Sequence, residues 1–232
     1  MVSVELFADI YARAAERKGG EQALENLLAK PLPRAQLAAL GEDRFLAEFT
    51  KKVFQSGFVW RVVEQKWPAF EQCFFGFDIA KVLLMPDEML EQKASNPDII
   101  RNYNKVKTIR DNALMIDAVH SEKGSFAQFI ADWPEDNIIG LWEVLKKQGA
   151  RLGGNTGPYA LRALGKDTFL LSRDVEGYFK SHDLISGSAT SKRSLACLQA
   201  TFNQWQQESG RSLQEISRAL SMSVGDNHVG IE

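Results

Sequence analysis

Apolar residues recur at three- and four-residue intervals along nearly the whole chain, and sustained alternation with period two is almost absent. That periodicity predicts an all-α protein. Val4, Phe7, Ala8, Tyr11 and Ala14 form a first stripe, ended by Gly19-Gly20. A short helix over Glu21–Ala29 stops at Pro31 and Pro33. A longer one starts after Glu42-Asp43 and carries Phe45, Phe49 and Val53 towards Gly57. The run FVWRVVEQKW is expected to halt at Pro68, followed by the aromatic cluster of AFEQCFFGF. Short helices over Ile79–Leu84 and Asp87–Gln92 flank Pro86. Ile99, Val106, Ile109, Ala113 and Ile116 mark a long helical region ending by Gly124. Beyond it, helices are predicted from Ser125 to Pro134, over Ile138–Gln148, from about Pro158 to Leu164 and over Asp174–Phe179. A closing pair over Ser191–Ser209 and Ser212–Val224 follows, the second opening with a capping box, Ser212-x-x-Glu215. The last residues, with His228, read as a loose tail.

The sharpest local chemistry lies in LWEVLKKQGARLGGNTGPYALRALG. Two amphipathic helices flank a turn of Leu152, Gly153, Gly154, Asn155, Thr156 and Gly157. Glycines allow positive φ and close approach to another surface. The helix that follows directs N–H groups and a positive dipole end at whatever lies ahead, which suits a phosphate. Lys146, Lys147, Arg151 and Arg162 sit nearby, opposed by Glu143. The turn reads either as a DNA clamp or as a plain helix-to-helix connection with a solvated face. A second feature is aromatic. Phe54, Phe58 and Trp60 surround Gly57, and Trp67, Phe74, Phe75 and Phe77 follow. An enzyme working on a duplex base must extrude it and stack it on such walls, although the same stripe can serve as core. Trp60 is the stacking candidate, and Gln55 could supply a directional amide.

The 232 residues are 44% hydrophobic, enough for a sizeable core, and the formal charge of −2 gives no global basic signal. A nucleic-acid binder with this balance must gather its cations on one face. Cys73 and Cys197, with three histidines, supply neither a disulfide framework nor zinc-ligand spacing. No metal and no cofactor are expected, and a reducing cytoplasm suits the chain. No stretch approaches the roughly 20 apolar residues of a membrane span.

Taken together, these segments resemble the type I 3-methyladenine DNA glycosylases of the helix-hairpin-helix superfamily. The resemblance covers roughly Glu42 to Gly165. It is carried by QSGFVWRVVEQKWPAFEQCFFGFDIAKVLLM, where Gly57 and Trp60 match a Gly-x-x-Trp at the base pocket. It continues in DIIRNYNKVKTIRDNA, through Lys105 and Asn112, and ends in the hairpin at Gly154, Thr156 and Tyr159. It implies a helical bundle and an enzyme that hydrolyses the N-glycosidic bond of 3-methyladenine-type alkylated purines in double-stranded DNA. The candidate base contacts are then Trp60, Phe58, Gln55 and Tyr159, and the candidate DNA contacts Lys147, Arg151 and residues 153–157.

The chain also departs from that family. The family's zinc staple has no matching ligand set here, and its base-contacting glutamate falls on Lys52. The superfamily's catalytic aspartate maps nearest to Ser172, with Asp174 two residues on. Asp174 is either the carboxylate that stabilises the sugar cation or a helix-dipole residue. Two alternatives stay open: a catalytically silent DNA-binding protein, and a lyase using Lys52 as nucleophile. Tyr178 and His182 are further candidates near Asp174. The organisation expected is a helical extension over 1–40, a glycosylase-like core over 41–187 and a C-terminal helix pair over 188–232, in a monomer.

Overall fold

The computed structural model describes residues 4–225; the tail and His228 lie outside them. Among the described residues the regular structure is fourteen α-helices and two 3-10 turns, an all-α fold. In chain order these are α1 (Phe7–Lys18), α2 (Glu21–Glu25), α3 (Arg34–Ala38), α4 (Glu42–Gln55), α5 (Trp60–Cys73), α6 (Ile79–Leu83) and α7 (Asp87–Ala94). Then come α8 (Tyr103–Lys123), α9 (Phe126–Asp132), α10 (Ile138–Gln148), α11 (Thr156–Leu164), α12 (Arg173–Ser181), α13 (Lys192–Ser209) and α14 (Leu213–Ser223). The helices fall into two compact units. Among the described residues one is built from Pro33–Trp133 and Leu141–Lys166, the other from 4–32, Pro134–Gly140 and 167–225.

The first unit is organised around α4, which packs against α5, α8 and α11. Phe45, Leu46, Phe49, Val53 and Phe54 of α4 are all but inaccessible to solvent, and Phe126 meets Phe45 and Phe49 edge-on at 5.4 and 6.0 Å. Capping defines the long α8. The Asn102 side chain accepts from the Lys105 N–H at its start, and Gly124 closes it in the left-handed region at φ 85°. Ser125 caps α9 in the same way.

The expected halt at Pro68 does not occur, since α5 continues through it to Cys73. A proline in a helix removes one hydrogen bond and costs about 3 kcal/mol. Here Pro68 and Glu64, whose carbonyl loses its donor, both face solvent, where water can satisfy that carbonyl. The opposite face buries Val63, Phe70 and Phe74 completely, and Trp67 stacks on Phe70 and Phe77, both at 5.4 Å. Burial on one face outweighs a single lost bond on the other.

In the second unit α1 packs on α14 through Phe7, Ile10, Ala14 and Ala15. The buried stripe therefore includes Ile10 and Ala15, whereas Ala8 is exposed. Glu5, just ahead of α1, is a hub. Its carboxylate takes two hydrogen bonds from Arg13 and one from the Tyr178 hydroxyl at 2.7 Å, and its carbonyl accepts from the buried Trp205 indole at 2.8 Å. The expected capping box at Ser212 and Glu215 is present. Asp167 reinforces it by accepting from the Leu213 and Gln214 N–H groups at 3.1 and 2.8 Å.

Candidate base pocket and DNA-facing hairpin

All the candidate base contacts belong to the first unit, where α4 ends and α5 begins. Gly57 makes the exit possible. Its φ of 141° is open only to glycine, and its N–H turns back to the Gln55 carbonyl at 2.9 Å instead of extending the helix. The chain then presents Phe58, half-buried and stacked on Phe54 at 6.4 Å, and Trp60, 53% exposed. The Trp60 ring meets Tyr159 of α11 edge-on, 6.2 Å between centroids at 85°. An indole this exposed has a face available to another π system.

A polar network underlies this tryptophan. The Lys52 ammonium lies 5.3 Å over the Trp60 ring, pairs with Glu48 at 3.1 Å and donates to Gln55 Oε1 at 2.9 Å. The other end of the same amide donates to Glu64 Oε1 at 3.0 Å, and Glu64 also pairs with Lys51 at 3.3 Å. Gln55 is nearly buried, and both ends of its amide are committed. It acts as a spacer between two ion pairs. Lys52 already occupies the electron-rich indole face that a cationic base would seek.

The hairpin between α10 and α11 is held from α8. Asn112, fully buried, donates to the Ala150 carbonyl at 3.2 Å and accepts from the Ala150 N–H at 2.7 Å. A Cβ at Gly149 would stand 2.7 Å from the Leu145 carbonyl, and one at Gly157 only 2.6 Å from the Leu152 carbonyl, so neither position accepts a side chain without backbone movement. Arg151 and Gly154 both take positive φ, at 60° and 61°. The donors lie differently from the expected arrangement. The N–H groups of Thr156 and Gly157 are spent inside the turn, on Gly153 and Leu152, and Pro158 has none. The turn's exposed backbone therefore lies one step earlier, around Gly153 and Gly154. Among the nearby lysines, Lys147 is paired with Glu143 at 2.9 Å, while the Lys146 stem lies along Gly153.

Residues 40–161 match the sequence profile of the methyladenine glycosylase family, just over half of the chain. The chain belongs to the methyladenine glycosylase family. Family members are DNA glycosylases, enzymes that hydrolyse N-glycosidic bonds. A solved 3-methyladenine DNA glycosylase I is 27% identical over 52% of this chain and 77% of its own, with TM-score 0.46. A tyrosine-to-phenylalanine variant of such an enzyme, in complex with 3-methyladenine, is 22% identical over 55% and 80%, with TM-score 0.47. The Staphylococcus aureus enzyme is 21% identical over 52% and 74%, also with TM-score 0.47.

The region matched to the methyladenine glycosylase profile contains Lys52, Gln55, Phe58, Trp60, Tyr159 and the whole hairpin turn, but not Asp174, Tyr178 or His182. Asp174 sits in the first turn of α12 in the second unit, against Gly225. Tyr178 hydrogen-bonds Glu5, and His182 stacks on Tyr178 at 4.0 Å. The thiols and the other described histidine also have local partners: Cys73 with Asn96, Cys197 with the Leu184 carbonyl, and His120 with Glu42. Among the described residues no three acidic, histidine or cysteine side chains converge to hold a metal ion. No helix there is long and apolar enough to cross a membrane. Sequence reading assigns Lys105 and Asn112 no role beyond the resemblance. Their partners are backbone groups 38 to 52 residues away, and backbone partners leave no trace in residue type.

Proposed function

We propose that this glycosylase removes alkylated purines of the 3-methyladenine type from duplex DNA, with the extruded base received on Trp60. The observation that carries the reading is the half-exposed Trp60 indole, set edge-on to Tyr159 of the hairpin's own helix. A surface that stacks a base and a turn suited to a phosphate thus share one compact unit. Alkylation at N3 makes the purine cationic and weakens its glycosidic bond. As the C1′–N bond breaks, its electron pair returns to the base, which leaves neutral. Water then adds to the oxocarbenium-like sugar and gives up a proton. The enzyme need only extrude, orient and admit water, and Asp174 is proposed as the carboxylate that favours the sugar cation. The hairpin, through Arg151, Gly153 and Gly154 rather than the Thr156 and Gly157 N–H groups first expected, is proposed to grip the phosphate backbone in the helix-hairpin-helix manner, without reading sequence.

A second reading, a silent DNA-binding protein, draws its support from Lys52. A cation over the Trp60 ring opposes a cationic base. Single-turnover excision by Trp60→Ala separates the two. Stacking a base on an aromatic contributes about 1–3 kcal/mol, so the variant should lose roughly five- to hundredfold in rate with substrate limiting and the enzyme below saturation. Its affinity for undamaged duplex should stay within about twofold. Equal excision by wild type and variant would end the Trp60 assignment.

A further inference from the structure

Lys105 is a cation that the proposed chemistry leaves unused. It stands in the first turn of α8 and is 7% exposed, and among the described residues no carboxylate lies within ion-pair distance of it. Burying an ammonium without a counter-charge is costly unless its donors are all directed at acceptors. Here they are directed at the end of α4. Because the Gly57 N–H bonds Gln55, the Val53 carbonyl loses its helical donor, and Lys105 Nζ supplies one. The same nitrogen donates to the Ser56 carbonyl at 3.3 Å and lies 5.2 Å over the Phe58 ring and 5.9 Å over Phe54. It would sit 3.6 Å from a Cβ placed on Gly57. One ammonium therefore touches the last turn of the helix, the reversal that ends it and the ring two residues before Trp60. Burial pushes its pKa down, and Arg151 of the hairpin turn adds to that shift. The residue is thus also near enough to feel the hairpin's charge.

We propose that Lys105 is a positioning residue for base capture: it clamps the Val53–Phe58 exit from α8 and so sets where Trp60 stands to receive a base. Methionine at this position would fill the space but leave the Val53 and Ser56 carbonyls without donors. The turn would then relax, and Trp60 with it. The identity of the base rests on the excision reading above, but the clamp itself does not. The probe is therefore free 3-methyladenine, whose binding needs neither DNA nor bond cleavage, measured by calorimetry on the full chain.

Lys105→Met should bind the free base at least tenfold more weakly, with undamaged-duplex affinity within about twofold of wild type. Lys105→Arg, which keeps charge and donors, should recover binding to within about threefold. The decisive readout is the double variant with Trp60→Ala. If Lys105 acts through Trp60, the pair should bind no more weakly than Trp60→Ala alone, whereas an independent structural role gives additive losses. Should Lys105→Met fail to fold, Gly57→Ala disturbs the same turn from the loop side and should reproduce the tenfold loss. Additive losses, a Lys105→Met that binds like wild type, or a wild type that binds no free base would each overturn the proposal. A wild type that binds the base in a Lys105-dependent manner yet releases none from DNA would sink the excision reading and leave this inference standing.

Discussion

On the proposed reading, Lys52 is the side chain on which base selectivity turns. It pairs with Glu48 and lies over one face of the Trp60 ring, so a cationic base stacked on that indole meets a like charge nearby. Lys52→Glu removes that competitor and offers a carboxylate instead. The excision rate on 3-methyladenine should rise, while the lost Glu48 pair and the donor taken from the buried Gln55 Oε1 should cost stability by about 1–3 kcal/mol. Single-turnover kinetics and thermal melting on one preparation check both halves; a slower variant would mean that Lys52 assists the reaction. Asp174→Asn should behave differently, changing stability by less than about 1 kcal/mol, as for a first-turn dipole contact, but slowing excision. If it excises at the wild-type rate, Asp174 serves α12 alone. Residue type and spacing marked Trp60 as a candidate, and its indole is half-exposed beside Tyr159. The commitment of Gln55 was not legible. Its partner Glu64 lies nine residues on, across a turn whose geometry depends on Lys105 of a different helix.

At the scale of elements, caps and glycines were the readable signals. Gly124, Ser125 and Ser212 end or start helices where their chemistry requires it. Pro68 misled because a proline rule counts one hydrogen bond and ignores which face is buried. The hairpin's support was invisible for a related reason, since Asn112 holds Ala150 by backbone groups alone. Asn112→Ala should strand a buried N–H and a buried carbonyl and destabilise the protein by about 1–3 kcal/mol for each group left unpaired. Denaturant unfolding measures this, and a loss under about 0.5 kcal/mol would mean that the turn is held elsewhere. Gly157→Ala should be harsher on DNA binding, because its Cβ would meet the Leu152 carbonyl at 2.6 Å and force the turn open. A variant that binds undamaged duplex as tightly as wild type would remove the turn from the DNA interface.

For the molecule as a whole, a formal charge of −2 means that any DNA affinity comes from a local patch and must be screened by salt. Affinity for random duplexes should fall by orders of magnitude between low and physiological salt, with no sequence preference. Acid sensitivity has a separate origin. The Arg13 hydrogen bonds hold the Glu5 carboxyl below the usual glutamate range, with Tyr178 adding to them. A carboxylate whose folded pKa is depressed contributes stability above its unfolded value, about 4.3, and that contribution disappears as pH falls through the folded value. The melting temperature should therefore drop below about pH 4.3, and Glu5→Gln should be less stable than wild type at neutral pH but lose less on acidification. Parallel melting curves for the two proteins would contradict the hub. Whether this chain excises damaged bases is read by incubating wild type with methylated duplex DNA and separating the released bases by chromatography. The expected product is free 3-methyladenine, in excess over other methylated purines, with the sugar–phosphate backbone uncut. If no base is released at enzyme concentrations that saturate the duplex, the chain binds DNA without acting on it, and the excision chemistry proposed for it is wrong.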